Sequence, residues 1–145
     1  MGEEVMRGMG KKALLAEFAG EAVGTGILVF LGCGAVGTSV VAGAQVGIWQ
    51  VAVVWGIAVV LAIYVVSGIS AAHLNPAVTV ATALLRPDLG FGGRRVAAYL
   101  GGQLLGAIAA ASLLYLMFAK NLAAFESANG IERGRPGSQL SAMMF

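Results

Sequence analysis

The residues with the most chemistry to offer lie in one short run. Ser70 to Thr79 reads Ser-Ala-Ala-His-Leu-Asn-Pro-Ala-Val-Thr. Asn75 is a good helix N-cap, and Pro76 suits the first helical position, because its missing N–H would have no partner there anyway. A helix starting at this point aims the positive end of its dipole back at Asn75. The Asn75 side-chain oxygen can take an orphan backbone N–H, which leaves its NH2 group free to donate elsewhere. The residues Ala71, Ala72, His73 and Leu74 are expected to be extended, with unpaired carbonyls. Donor, row of acceptors and positive dipole end together describe a path. It would pass neutral hydrogen-bonding solutes and oppose cations and protons.

Other candidates are few. Glu17 and Glu21 lie one helical turn apart inside an apolar stretch, where an acid is a functional candidate by default. Glu17 is close enough to the charged N-terminus to reach water, and Glu21 is deeper. Trp55 sits well inside a second apolar stretch, whereas Trp49 is better placed as an interfacial anchor. His73 is the single histidine. With no Cys, Asp or second His close by in sequence, no metal site is expected. No nucleophile–base pair, phosphate loop or carboxylate dyad is present, so neither an enzyme nor a cofactor is expected. The basic residues are too few and too scattered for nucleic acid.

The elements that must hold these residues are written in the composition. The 145 residues are 59% hydrophobic and 11% charged, against about 25% charged in ordinary soluble domains. Mean hydropathy is +0.87. Between Ala13 and Leu85 there is no Lys or Arg, and between Val96 and Ala119 no charge at all. Such stretches belong in lipid. Residues 14–36, 48–66 and 96–119 are each long enough for a helix crossing a hydrocarbon core of about 30 Å. Residues 76–85 are not: a helix there is on the order of 15 Å long, half a membrane. Pro87 then stops it. Irregular backbone before a half-length helix survives at depth only against protein or a wet cavity. Residues 67–86 are therefore expected to dip into the membrane and return on the same side.

Charge sets the expected orientation. Arg7, Lys11 and Lys12 precede the first span, and Arg86, Arg94 and Arg95 precede the last. The positive-inside rule puts residues 1–13 and the Arg86–Arg95 loop in the cytoplasm. Residues 120–145 then form a loop-like tail outside. The expected fold class is an all-α membrane protein of three transmembrane helices and one re-entrant half-helix. Small residues at four-residue spacing, Gly20 and Gly24, then Ala98, Gly102, Gly106 and Ala110, would let the helices approach closely.

At these residues the chain resembles the major intrinsic protein family, the aquaporins and glycerol facilitators. His73-Leu74-Asn75-Pro76-Ala77-Val78-Thr79 is similar to the first of that family's two Asn-Pro-Ala boxes. Gly20-Glu21-Ala22-Val23-Gly24-Thr25-Gly26 resembles its first-helix signature, and Val54-Trp55-Gly56-Ile57-Ala58-Val59 its second helix. Gln103, in Gly101-Gly102-Gln103-Leu104-Leu105-Gly106, matches its third. The resemblance implies one inverted repeat of a right-handed helical bundle in a cell membrane. It implies a solute path along the carbonyls of Ala71, Ala72, His73 and Leu74 to Asn75, Pro76 and Ala77. Glu21 would brace that loop, although Ala16-Glu17-Phe18 mimics the same signature. Trp55 would form one wall of the narrow filter, where glycerol conductors carry Trp and water conductors a smaller aromatic. Glycerol is the expected solute, with water as the alternative. The family's tetramer is the expected assembly.

One half of the family's pattern is absent. There is one Asn-Pro-Ala box and no second, and no segment matching the family's filter arginine. A second half is therefore expected as a partner, with this chain a fragment, an interrupted gene, or half of a split channel. A non-conducting membrane partner of full-length channels is the reading from another class. A coupled transporter is a third, weakened by the lack of charged relays across the spans.

Overall fold

The computed structural model describes residues 2–44 and 47–145, with side chains described from Gly10 onward. The Arg7 side chain, used in the topology argument above, and residues 45 and 46 lie outside the described residues. The fold is all helical. Helix α1 runs Gly2–Val40, α2 Ile48–Val66, α3 Pro76–Leu85, α4 Gly93–Ala128 and α5 Gln139–Ala142. A 3-10 turn, Pro87–Leu89, follows α3 and closes on Gly90 at φ 65°. There the Arg86 guanidinium, 2.8 Å from Asp88, holds the Asp88 carboxyl below its ordinary range.

Helices α2 and α3 have the bounds expected from the sequence. Three helices, α1 from Gly10, α2 and α4, are long and apolar enough to cross a membrane. Helices α1 and α4 overrun the expected spans of 14–36 and 96–119. The expected loop-like tail at 120–145 needs correction as well. Helix α4 continues to Ala128, with Leu122 buried, and α5 adds a further turn. The reason is physical. Hydropathy marks where a helix leaves apolar surroundings, not where its hydrogen bonds stop. Residues such as Lys, Glu and Ala on either side of the spans are good helix formers.

Helices α1 and α4 run parallel. Gly101 meets Phe18 near one end, Gly106 meets Ala22 and Gly26 further along, and Gly34 meets Leu114 beyond that. Helix α2 runs antiparallel to α1, with Trp55 over Gly32 and Val66 over Gly24. Only Ala58, Ala62 and Val66 of α2 are buried, one residue per turn. The rest of that helix presents Ile57, Val60, Tyr64 and similar side chains outward. A helix apolar all round with one buried stripe is stable against lipid and not against water.

The chain between α2 and α4 doubles back. Ser70 packs opposite Gly20 and Leu74 opposite Gly24, so the path re-enters the bundle after α2. Helix α3 then leads out again, and by Arg95 the chain is level with Glu17. The excursion therefore begins and ends at one end of the bundle. A core of Ala62, Val66 and Leu74, flanked by Ile27 and Leu28, closes around its tip. At the opposite end the tail folds onto α1, where Met144 is fully buried against Gly37.

Candidate functional site

The site is the loop from Ser70 to Asn75 and the side chains behind it. Asn75 caps α3: its backbone is extended at φ −153°, and its side-chain oxygen accepts from the Ala77 N–H at 2.8 Å. Pro76 occupies the first helical position. Asn75, Pro76 and Ala77 are all exposed. Among the described residues the Asn75 NH2 group meets no acceptor.

The loop itself departs from the simple extended strand expected. Ala72 and Leu74 take φ of 50° and 51°, whereas Ala71 and His73 do not have positive φ. Left-handed backbone at a residue with a Cβ costs about 1–3 kcal/mol and persists only when its surroundings enforce it. The alternation turns successive amides to one side of the loop, a cup of N–H groups suited to an anion. The anion is Glu21.

Glu21 is fully buried and reaches the loop from α1. Its Oε1 accepts the His73 N–H at 3.0 Å and the Ser70 hydroxyl at 2.8 Å. Its Oε2 accepts the Leu74 N–H at 2.8 Å and the Gln103 amide at 2.7 Å. The remaining amides are also held. Ala71 donates to the Tyr99 hydroxyl at 3.0 Å, and Ala72 to Ser70 Oγ at 3.0 Å. Every amide from Ala71 to Leu74 is thus paired, which leaves the carbonyls of these residues to be accounted for. Among the described residues no donor meets them. Buried amides are almost always paired; an unpaired row of carbonyls beside them is open to another donor.

His73 is anchored at its ring as well as its amide. Its Nδ1 lies 3.2 Å from Thr79 Oγ1. One ring face stacks on Phe91 at 4.8 Å between centroids, and Tyr99 closes in at 5.0 Å. Thr79 is fully buried and also takes the Gln103 amide at 2.9 Å. Gln103 thus ties α4 to both Glu21 and the first turn of α3. Its own Oε1 is buried and has no partner.

The glycines make this reach possible. At Gly102 a Cβ would run into the Phe18 carbonyl, and at Gly106 into the Ala22 carbonyl. At Gly24 it would come within 2.5 Å of Leu74 Cδ2, and at Gly20 within 3.1 Å of Ser70 Cβ. Close approach of α1 and α4 is what lets Glu21 and Gln103 share one hydrogen-bond network.

The structure thus gathers Glu21, Ala71, Ala72, His73, Leu74, Asn75 and Gln103 into one assembly. It seats Trp55 elsewhere, on α1, where a Cβ at Gly32 would fall 2.5 Å from the indole ring. Glu17 takes no part in the loop and pairs with Arg95 instead, with Arg95 Nε 2.8 Å from Oε2. Sequence reasoning gave no role to Tyr99, Thr79, Ser70 or Phe91. Tyr99 carried a usable signal, one helical turn before Gln103 and therefore on its face. Ser70 and Thr79 are polar residues flanking the motif.

Known proteins resemble this chain over most of its length. Residues 8–143 match the family described as Major intrinsic protein. The glycerol uptake facilitator protein of Pseudomonas aeruginosa is 40% identical over 133 residues, 92% of this chain and 47% of that protein. That of Haemophilus influenzae is 42% identical over 123 residues, 85% and 46% of the two. The propanediol uptake facilitator PduF of Citrobacter freundii is 39% identical over 133 residues, 92% and 48%. The chain spans about half the length of the curated relatives it matches. A family match over most of the chain, three apolar helices and a braced Asn-Pro-Ala loop agree: this is a multi-pass membrane protein that belongs to the major intrinsic protein family.

Proposed function

We propose that this chain forms one half of a passive channel for small neutral polyols, glycerol first, in the plasma membrane. The observation that carries the reading is the row of unpaired carbonyls from Ala71 to Leu74. It ends at an Asn75 amide with two free protons. A polyol hydroxyl both donates and accepts, so it can trade water for this row. A cation would meet the positive end of α3 at Asn75. The relatives named for glycerol and propanediol uptake support the solute class. In this reading Trp55, seated on α1 at Gly32 and apart from the loop, supplies an apolar wall further along the path.

The N-terminus is cytoplasmic in this proposal, and the loop enters from the cytoplasmic side. The exposure of Asn75, Pro76 and Ala77 requires a second, inverted half to enclose the path. Assembly of complete pores into tetramers is part of the same proposal.

Stopped-flow light scattering tests it. Proteoliposomes would carry this chain together with the C-terminal half of a glycerol uptake facilitator, association being checked by cross-linking. Glycerol flux above that of empty vesicles is expected. Asn75→Asp should lower it, and Trp55→Ala should shift the ratio of glycerol to water flux. Associated halves with no glycerol flux would overturn the reading.

A further inference from the structure

A second site lies away from the solute path, where the start of α4 meets α1. A cavity of about 610 Å³ opens there, with Lys11, Leu14, Glu17, Arg94 and Arg95 among its lining residues. Among the described residues its charges do not balance. Glu17 is spent on Arg95. Lys11 and Arg94 are exposed and meet no acid among the described residues.

The position of the arginines adds to the imbalance. Both stand in the first turn of α4, which contains no acidic residue. Cations there face the positive end of the helix dipole, the unfavourable arrangement. Glu17 offsets this for Arg95, and nothing described offsets it for Arg94. Two unpaired cations beside a positive helix end are the wrong surroundings for a neutral solute and the right ones for an anion. The cavity also has an apolar wall, formed by Ala13 and Leu14. It sits where the apolar stretch of α1 gives way to charge at Lys11 and Lys12, the kind of boundary that meets lipid headgroups when a helix crosses a membrane.

We propose that this cavity binds a phosphate group, held by Lys11 and Arg94, with Arg95 kept in place by Glu17. A phosphate there can come from an anionic phospholipid, whose chain would lie along Ala13 and Leu14, or from a free phosphate anion. Basic pockets between membrane helices take lipid headgroups by this chemistry. The proposal rests on the membrane setting and is independent of any solute passing Asn75.

Native mass spectrometry of the full chain in detergent tests it, with phosphatidylglycerol and phosphatidylcholine as probes. Retention of phosphatidylglycerol in preference to phosphatidylcholine is expected. A Lys11→Gln, Arg94→Gln double variant should weaken that retention by about tenfold. Lys12→Gln, which removes a neighbouring charge that does not line the cavity, should leave it unchanged. Circular dichroism would verify that each variant keeps its helices. Inorganic phosphate is the second arm. Displacement of phosphatidylglycerol by phosphate supports the site with the free anion as a sufficient ligand. Failure to displace, with the variant effect intact, supports it with the lipid as the source. Equal retention by wild type and double variant would overturn the proposal. So would an equal loss in Lys12→Gln, since surface charge alone would then explain the binding.

Discussion

The Glu21 carboxylate receives the Leu74 N–H at 2.8 Å, joining residues 53 apart in sequence. The same carboxylate takes His73, Ser70 and Gln103. Hydrogen bonds to a charged group contribute about 1.5–3 kcal/mol each. Glu21→Ala should therefore be among the most damaging single changes, at several kcal/mol. Glu21→Gln should also destabilise, because it presents an NH2 group to an amide that needs an acceptor. Hydrogen exchange at the His73 and Leu74 amides is the direct measurement. Unchanged protection in both variants would dismiss Glu21 as the loop's anchor.

Tyr99→Phe tests the bond to Ala71. It keeps the ring that packs on His73 and Phe91 and removes the hydroxyl that accepts from Ala71. A loss of about 1 kcal/mol is expected, near the usual net worth of such a bond. Exchange should quicken at Ala71 and stay slow at Leu74. A uniform rise along the loop would mean that the hydroxyl holds the whole loop and not the Ala71 amide alone.

The helix contact at Gly106 tolerates nothing larger. A Cβ there would run into the Ala22 carbonyl and come within 3.0 Å of the Gly26 nitrogen, both rigid backbone. Gly106→Ala should cost at least about 1–3 kcal/mol, the usual penalty of overpacking. Gly56→Ala, with nothing within 4 Å, is the matched control and should be neutral or slightly stabilising. Unfolding midpoints in mixed micelles would compare the two.

Positive φ at Ala72 and Leu74 gives a prediction of opposite signs. Ala72→Gly relieves left-handed strain and removes one methyl group, so stability should hold or rise by up to about 1 kcal/mol. Leu74→Ala keeps the strained backbone and empties a core of Ala62, Val66 and Ile27. It should cost about 2–5 kcal/mol. Equal losses in the two variants would contradict a strained loop held by packing.

Much of this fold was legible in the chain. The bounds of α2 and α3 could be read because turn residues and charges end those apolar runs abruptly, and Asn75-Pro76 marks a helix start by its own chemistry. The ends of α1 and α4 were not, because composition changes at the membrane surface while the helix does not. Glu21 could be singled out because an acid in an apolar span has no cheap alternative. Its partners could not: nothing local links residue 21 to 70, 73, 74 and 103. The alternating backbone of Ala71–Leu74 was hidden as well. Alanine and leucine at positive φ carry no glycine to announce it.

The bonds that hold the loop come from both sides of it in the chain. Glu21 is synthesised before the loop, whereas Tyr99 and Gln103 come after it. A nascent chain halted short of Tyr99 has one acidic anchor, no acceptor for the Ala71 amide and no α4 to press Glu21 into place. The loop must then wait, unset, through the synthesis of α3 and the turn after it. Its geometry is thus fixed late in biogenesis, when the third span pairs with the first.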